Sequence, residues 1–176
     1  DITDESIRFI EENKDNQFFL YIAHPQPHVP LFASKDFNGS TGNGLFADVI
    51  SEIDFSVGRV IEALEKNNLT ENTIVVFTSD NGPWLSYGDH AGSSGIYREG
   101  KGTAWEGGQR VPCIIKYPRE IKAKTIIDEP VMGIDWMPTF SHITGSKLST
   151  NKIDGKNIWP LPVSYTHLTL PTILSV

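Results

Sequence analysis

Phe46, Val49, Ile50, Ile53, Val57, Val60, Ile61 and Leu64 recur at three- and four-residue spacing, which predicts a long amphipathic helix. Asp48, Glu52, Arg59 and Glu62 fall on its opposite side. A shorter helix is expected near the start of the chain. There Thr3, Asp4, Glu5 and Ser6 open it, Ile7, Phe9 and Ile10 give it an apolar side, and Asn16 ends it. Two unbroken apolar runs, residues 18–23 and 74–77, suit strands buried on both faces, as in a parallel sheet covered by helices. The order strand, loop, helix, strand is that of a crossover unit. Further on, residues 111–117 read as a strand and 126–131 as a short extended piece. Residues 135–143 read as a helix with Pro138 in its first turn and Asp135 as its cap.

The polar residues at the strand ends carry the chemistry. The run at 74–77 passes into Thr78-Ser79-Asp80-Asn81-Gly82-Pro83, and ligands of open α/β sheets gather beyond the carboxyl ends of strands. The run at 18–23 passes into His24-Pro25-Gln26-Pro27-His28-Val29-Pro30, where three prolines forbid a helix. The two histidines therefore stand on a stiff loop at a strand mouth, not as a helical zinc pair. From Gly82 to Gly108 the chain holds eight glycines with scattered Trp84, Tyr87, His90, Tyr97, Arg98, Lys101 and Trp105, the composition of a long functional loop.

Composition narrows the field. With 176 residues and 39% apolar content the chain can form one domain or part of a larger one. A net charge of −7 argues against nucleic acid or an anionic membrane as the main partner, and no apolar run reaches the length of a membrane span. The chain opens without Met, directly on a helix, so a missing N-terminal part is expected. The single cysteine, Cys113, rules out an internal disulfide, and its apolar surroundings predict a buried structural thiol.

Residues 95–102, Gly-Ile-Tyr-Arg-Glu-Gly-Lys-Gly, come close to a phosphate-binding P-loop. Gly102 stands where that loop needs Ser or Thr for magnesium, and no strand leads directly into it, so the nucleotide reading fails. A lysine on a glycine-flanked loop remains, suited to meet an anionic oxygen. Asp80 and Asn81 offer hard oxygen ligands that suit calcium or magnesium better than zinc. His28 is placed to donate a proton to a leaving group, and Lys101 to hold the charged group being transferred.

The segments Phe-Phe-Leu-Tyr-Ile-Ala-His-Pro-Gln-Pro-His-Val-Pro, Thr-Ser-Asp-Asn-Gly-Pro and Gly-Lys-Gly-Thr-Ala-Trp-Glu-Gly-Gly-Gln-Arg-Val-Pro together resemble the type I, formylglycine-dependent sulfatases of the arylsulfatase kind. The resemblance covers residues 1–161, with the motifs in the family's order. It implies an α/β fold, the alkaline-phosphatase-like sandwich with a mostly parallel central sheet, incomplete in this chain. It implies hydrolysis of sulfate monoesters of small molecules or carbohydrates, with Ca2+ as cofactor, and a secreted, periplasmic or lysosomal location. Asp80 and Asn81 match two calcium ligands, Lys101 the sulfate-binding lysine, and His28 the histidine beside the scissile oxygen; His90 lies on the substrate-side loop.

The departures concern the upstream half of such a domain. The formylglycine comes from the Cys of a Cys-x-Pro-Ser-Arg motif, whereas Cys113 is followed by Ile114-Ile115-Lys116. The family's Asp-Asp pair of calcium ligands is also absent. The chain is therefore expected to be the back part of a catalytic domain, inactive alone. Residues 162–176 form a second departure: 163–172 resemble the translation of a transposon-adapter end used in sequencing libraries, so a non-native tail is expected. Two other readings are a phosphomonoesterase or phosphodiesterase of the same superfamily, which places Asp-His where this chain has Asp80-Asn81, and a non-catalytic binding protein on the same fold.

Overall fold

In a computed structural model residues 1–163 are described. They form two units, residues 1–73 with 81–111, and residues 74–80 with those from 112 onward. The tail from Ser164, which holds most of the adapter-like stretch, lies outside the described residues.

The first unit is built on two helices, α1 (Ile2–Asn13) and α2 (Leu45–Lys66). The cap of α1 is Asp1 rather than Thr3: its carboxylate accepts the Asp4 amide at 2.9 Å. Thr3 instead turns inward, its hydroxyl 2.7 Å from that of Ser56 in a buried pair. Ile10 and Val49 are each 1% exposed and anchor the core, so truncating Ile10 to Ala should cost about 2–5 kcal/mol. At the rim Arg59 pairs with Asp4 at 2.8 Å.

Asp48 departs from the periodic pattern. It lies on the side of α2 expected to face water, yet it is 2% exposed. The loop before the helix folds over it: Asp48 Oδ1 accepts the Thr41 hydroxyl at 2.6 Å and the Thr41 amide at 3.0 Å, and Oδ2 accepts the Gly39 amide at 2.8 Å. These bonds, the Thr41 hydroxyl first, lower the carboxyl pKa against the opposing effect of burial.

Residues 18–23 do not form the buried strand expected of them. They have no regular secondary structure, and Phe19 and Tyr21 are 72% and 80% exposed. Phe18 meets Phe9 edge-on at 5.8 Å. The His24–Pro30 segment is a loop, as its prolines require.

In the second unit β1 (Val75–Thr78) pairs with β2 (Cys113–Lys116) in antiparallel register, Val75 opposite Lys116 and Thr78 opposite Cys113. The expected parallel crossover pairing is not formed among the described residues, and 126–131 form no strand. A 3-10 turn at Gly133–Asp135 leads into α4 (Trp136–Thr144), and Gly145 closes that helix in the left-handed conformation. Asp135 is structural: its two carboxylate oxygens accept the amides of Met132 and Lys156, each at 2.8 Å. Tyr117 and Trp159 lie 5.8 Å apart, next to the short α5 (Pro160–Val163).

Candidate active site

The loop from Gly82 to Gly108 is held at its base by backbone contacts that only glycine permits. The Gly82 amide donates to Gly108 O at 3.1 Å, and a Cβ on Gly82 would fall 1.8 Å from Gly107 O. Gly107 donates in turn to Arg98 O at 2.9 Å within α3 (Glu106–Gln109). Nearby, the Lys101 amide donates to Pro83 O at 2.8 Å, and a Cβ on Gly100 would meet that same oxygen at 2.2 Å. Gly100 therefore lets the backbone of Lys101 lie against the turn that follows Asn81.

Trp84 occupies that turn and caps the 3-10 helix Leu85–His90. The Lys101 ammonium lies 5.1 Å from the centroid of its indole. The His28 ring approaches the same indole edge-on at 5.8 Å, and Tyr87 does so at 4.8 Å. His28 and Lys101, 73 positions apart in the chain, thus share one aromatic neighbour. Sequence pattern shows Trp84 only as one of several scattered aromatics; its position directly after Asn81-Gly82-Pro83 is the signal that could have singled it out.

His28 is exposed, and its Nδ1 lies 2.7 Å from Val29 O. A carbonyl only accepts, so Nδ1 carries a proton and Nε2 is the nitrogen left to exchange one. His24 is half-buried, and burial lowers its pKa, which favours the neutral ring. His90 ends the 3-10 helix, exposed, and no hydrogen bond or ring contact ties it to His28 or Lys101 among the described residues. Asp80 and Asn81 follow β1 after Ser79, Asp80 exposed and Asn81 half-buried, and the chain passes from one unit to the other between them.

The donor set can be tested against the cofactors that the sequence implies. A carboxylate and an amide oxygen suit calcium in kind, but calcium takes six to eight oxygens. Among the described residues no group of three or more His, Cys, Asp or Glu gathers to hold a metal. The fit is that of a partial site. Among the described residues formylglycine has no counterpart: Cys113 is half-buried in β2, and burial raises its pKa, which disfavours the thiolate.

The fold is that of an α/β protein of the alkaline-phosphatase-like class, as the solved structures that it matches show. The chain belongs to the sulfatase family, whose model matches residues 1–146. It is 40% identical to human steryl-sulfatase over 166 residues, which make up 91% of this chain and 28% of that protein. It is also 40% identical to an arylsulfatase of Hemicentrotus pulcherrimus, over 89% of this chain and 28% of the relative. Among solved structures, Ps i-CgsB in complex with a k-i-k-neocarrahexaose superposes with a TM-score of 0.83 at 36% identity, over 90% of this chain and 37% of that one. The chain thus spans about 28% of the length of the curated relatives it matches.

Proposed function

We propose that the chain supplies the sulfate-binding lysine, the leaving-group acid and two calcium ligands of a sulfatase that hydrolyses sulfate monoesters. The observation that carries this reading is the approach of Lys101 and His28 to one ring, Trp84, at 5.1 and 5.8 Å. Lys101 places a positive charge where negative charge builds on the sulfate oxygens. His28, in its imidazolium form, keeps Nδ1–H on Val29 O and gives the Nε2 proton to the ester oxygen as the S–O bond breaks. Asp80 and Asn81 would help hold calcium, which when bound acts as a Lewis acid on a sulfate oxygen. The nucleophile and the remaining metal ligands would come from an upstream part of such a domain, in keeping with the share of its relatives that the chain spans. Residues 1–161 are then the back part of a catalytic domain, and 162–176 a tail that the gene does not encode.

The substrate is a sulfated small molecule or carbohydrate, with His90 on the side from which it enters. Steryl-sulfatase and arylsulfatase among the relatives, and a saccharide complex among the solved structures, support that range. The full-length enzyme should turn over 4-nitrophenyl sulfate with calcium and prefer it to 4-nitrophenyl phosphate. Zinc-dependent turnover of the phosphate ester in preference would establish the phosphatase reading instead, and binding without turnover of either ester the non-catalytic one.

A further inference from the structure

Trp84 contacts both candidate catalytic side chains, and its own position is fixed from several directions. Its carbonyl accepts the Tyr87 amide at 3.1 Å, and the preceding Pro83 carbonyl accepts the Lys101 amide at 2.8 Å. Its ring is flanked edge-on by His28 and Tyr87, at interplanar angles of 63° and 71°. A lysine side chain is a flexible stem ending in a point charge and does not place itself. Among the described residues the exposed His28 ring is held at Nδ1 by Val29 O alone, apart from its contact with Trp84. The negative face of an indole attracts an ammonium, and its edge and face both accept another ring.

We propose that Trp84 is a positioning residue of the sulfate-ester site, holding the Lys101 ammonium and the His28 imidazole so that both address one bound ester. The inference rests on the proposed function and extends it to a residue outside the proposed metal ligands, sulfate-binding lysine and leaving-group acid. Trp105 provides a contrast on the same loop. It carries a closer cation, Arg98 at 3.7 Å, but contacts neither Lys101 nor His28 among the described residues.

The test is an NMR titration of the 176-residue chain with sodium sulfate, referenced to sodium chloride at matched ionic strength. It follows the Lys101 methylene, His28 Cε1–H and Trp84 indole signals. In the unmodified chain sulfate should shift all three together and saturably. Trp84→Leu should weaken sulfate binding by roughly two- to fivefold, the size of an exposed cation–π contact, and remove the His28 response. Trp84→Phe should restore most of both, and Trp105→Leu should leave them in place. Sulfate that shifts Lys101 in the unmodified chain without moving the Trp84 indole overturns the positioning role while the sulfate site stands, and that measurement needs no variant to fold. Unchanged or tighter binding by Trp84→Leu overturns it as well. No saturable response at Lys101 or His28 removes the sulfate reading itself, and this inference with it.

Discussion

The backbone amide of Lys101 is bonded to the carbonyl of Pro83 at 2.8 Å, which ties the lysine to the turn just past Asp80 and Asn81. The main chain is thereby positioned independently of the side chain. Replacing the side chain should leave the loop in place and remove only the charge. In the full-length enzyme Lys101→Ala is expected to lower kcat on the order of a hundredfold, with little change in thermal stability. A loss confined to KM would show that Lys101 binds ground state and transition state alike.

His28 is tested by leaving group. If its Nε2 proton reaches the departing oxygen, His28→Ala should slow alkyl sulfates far more than 4-nitrophenyl sulfate, whose phenolate departs unaided. Equal losses on the two esters would reduce the imidazole to a substrate contact.

The strand-end ligands should differ in weight. Asp80 brings a charge to a hard cation and Asn81 only an amide oxygen, so Asp80→Ala should weaken calcium binding by the full-length enzyme strongly and Asn81→Ala less. Isothermal titration with calcium orders the two, and the reverse order would remove Asp80 from the metal.

Asp48 makes part of the fold sensitive to acid. Its pKa is lowered in the folded state, chiefly by the Thr41 hydroxyl, so the carboxylate stabilises the fold above the ordinary aspartate pKa of about 3.9. That contribution is lost as pH falls through the lowered folded value. Asp48→Asn should be less stable than the unmodified chain at neutral pH, with the gap closing as the solution becomes strongly acidic. Urea midpoints across that range measure it, and parallel curves would show that Asp48 does not titrate with unfolding.

The 176-residue chain by itself should not hydrolyse any sulfate ester. No described residue provides the nucleophile, since the Cys113 thiol is half-buried with its pKa raised. An assay of the 176-residue chain, and of residues 1–161 without the tail, with 4-nitrophenyl sulfate and calcium decides the matter, and turnover by the purified monomer would place a nucleophile within this chain.

Local periodicity reached some of this architecture and not the rest. Helix α2 was legible because eight apolar residues repeat at helical spacing, and the Asp80-Asn81 strand end because an apolar run stops abruptly at polar groups. An apolar run does not encode its partner's direction, so the antiparallel pairing of β1 with β2 was out of reach. The run at 18–23 carries the residues of a strand, but a strand also needs a ladder, and none of the described residues gives it one. Asp48 followed the polar side of its helix and was buried by a loop seven to nine residues away. The meeting of His28, Trp84 and Lys101 is a tertiary event, and no local pattern marks it.

The amide–carbonyl tie between Gly82 and Gly108 closes the loop at its root, with 25 residues lying between the two positions. Along that stretch Gly95 and Ile96 are open to solvent: Ile96 is almost fully exposed, and a Cβ on Gly95 would meet nothing. Tyr97, the next residue, is tied back to the base through Arg110. On the proposed function, changes at that exposed pair leave the packed glycines undisturbed, and with them the backbone register of Lys101.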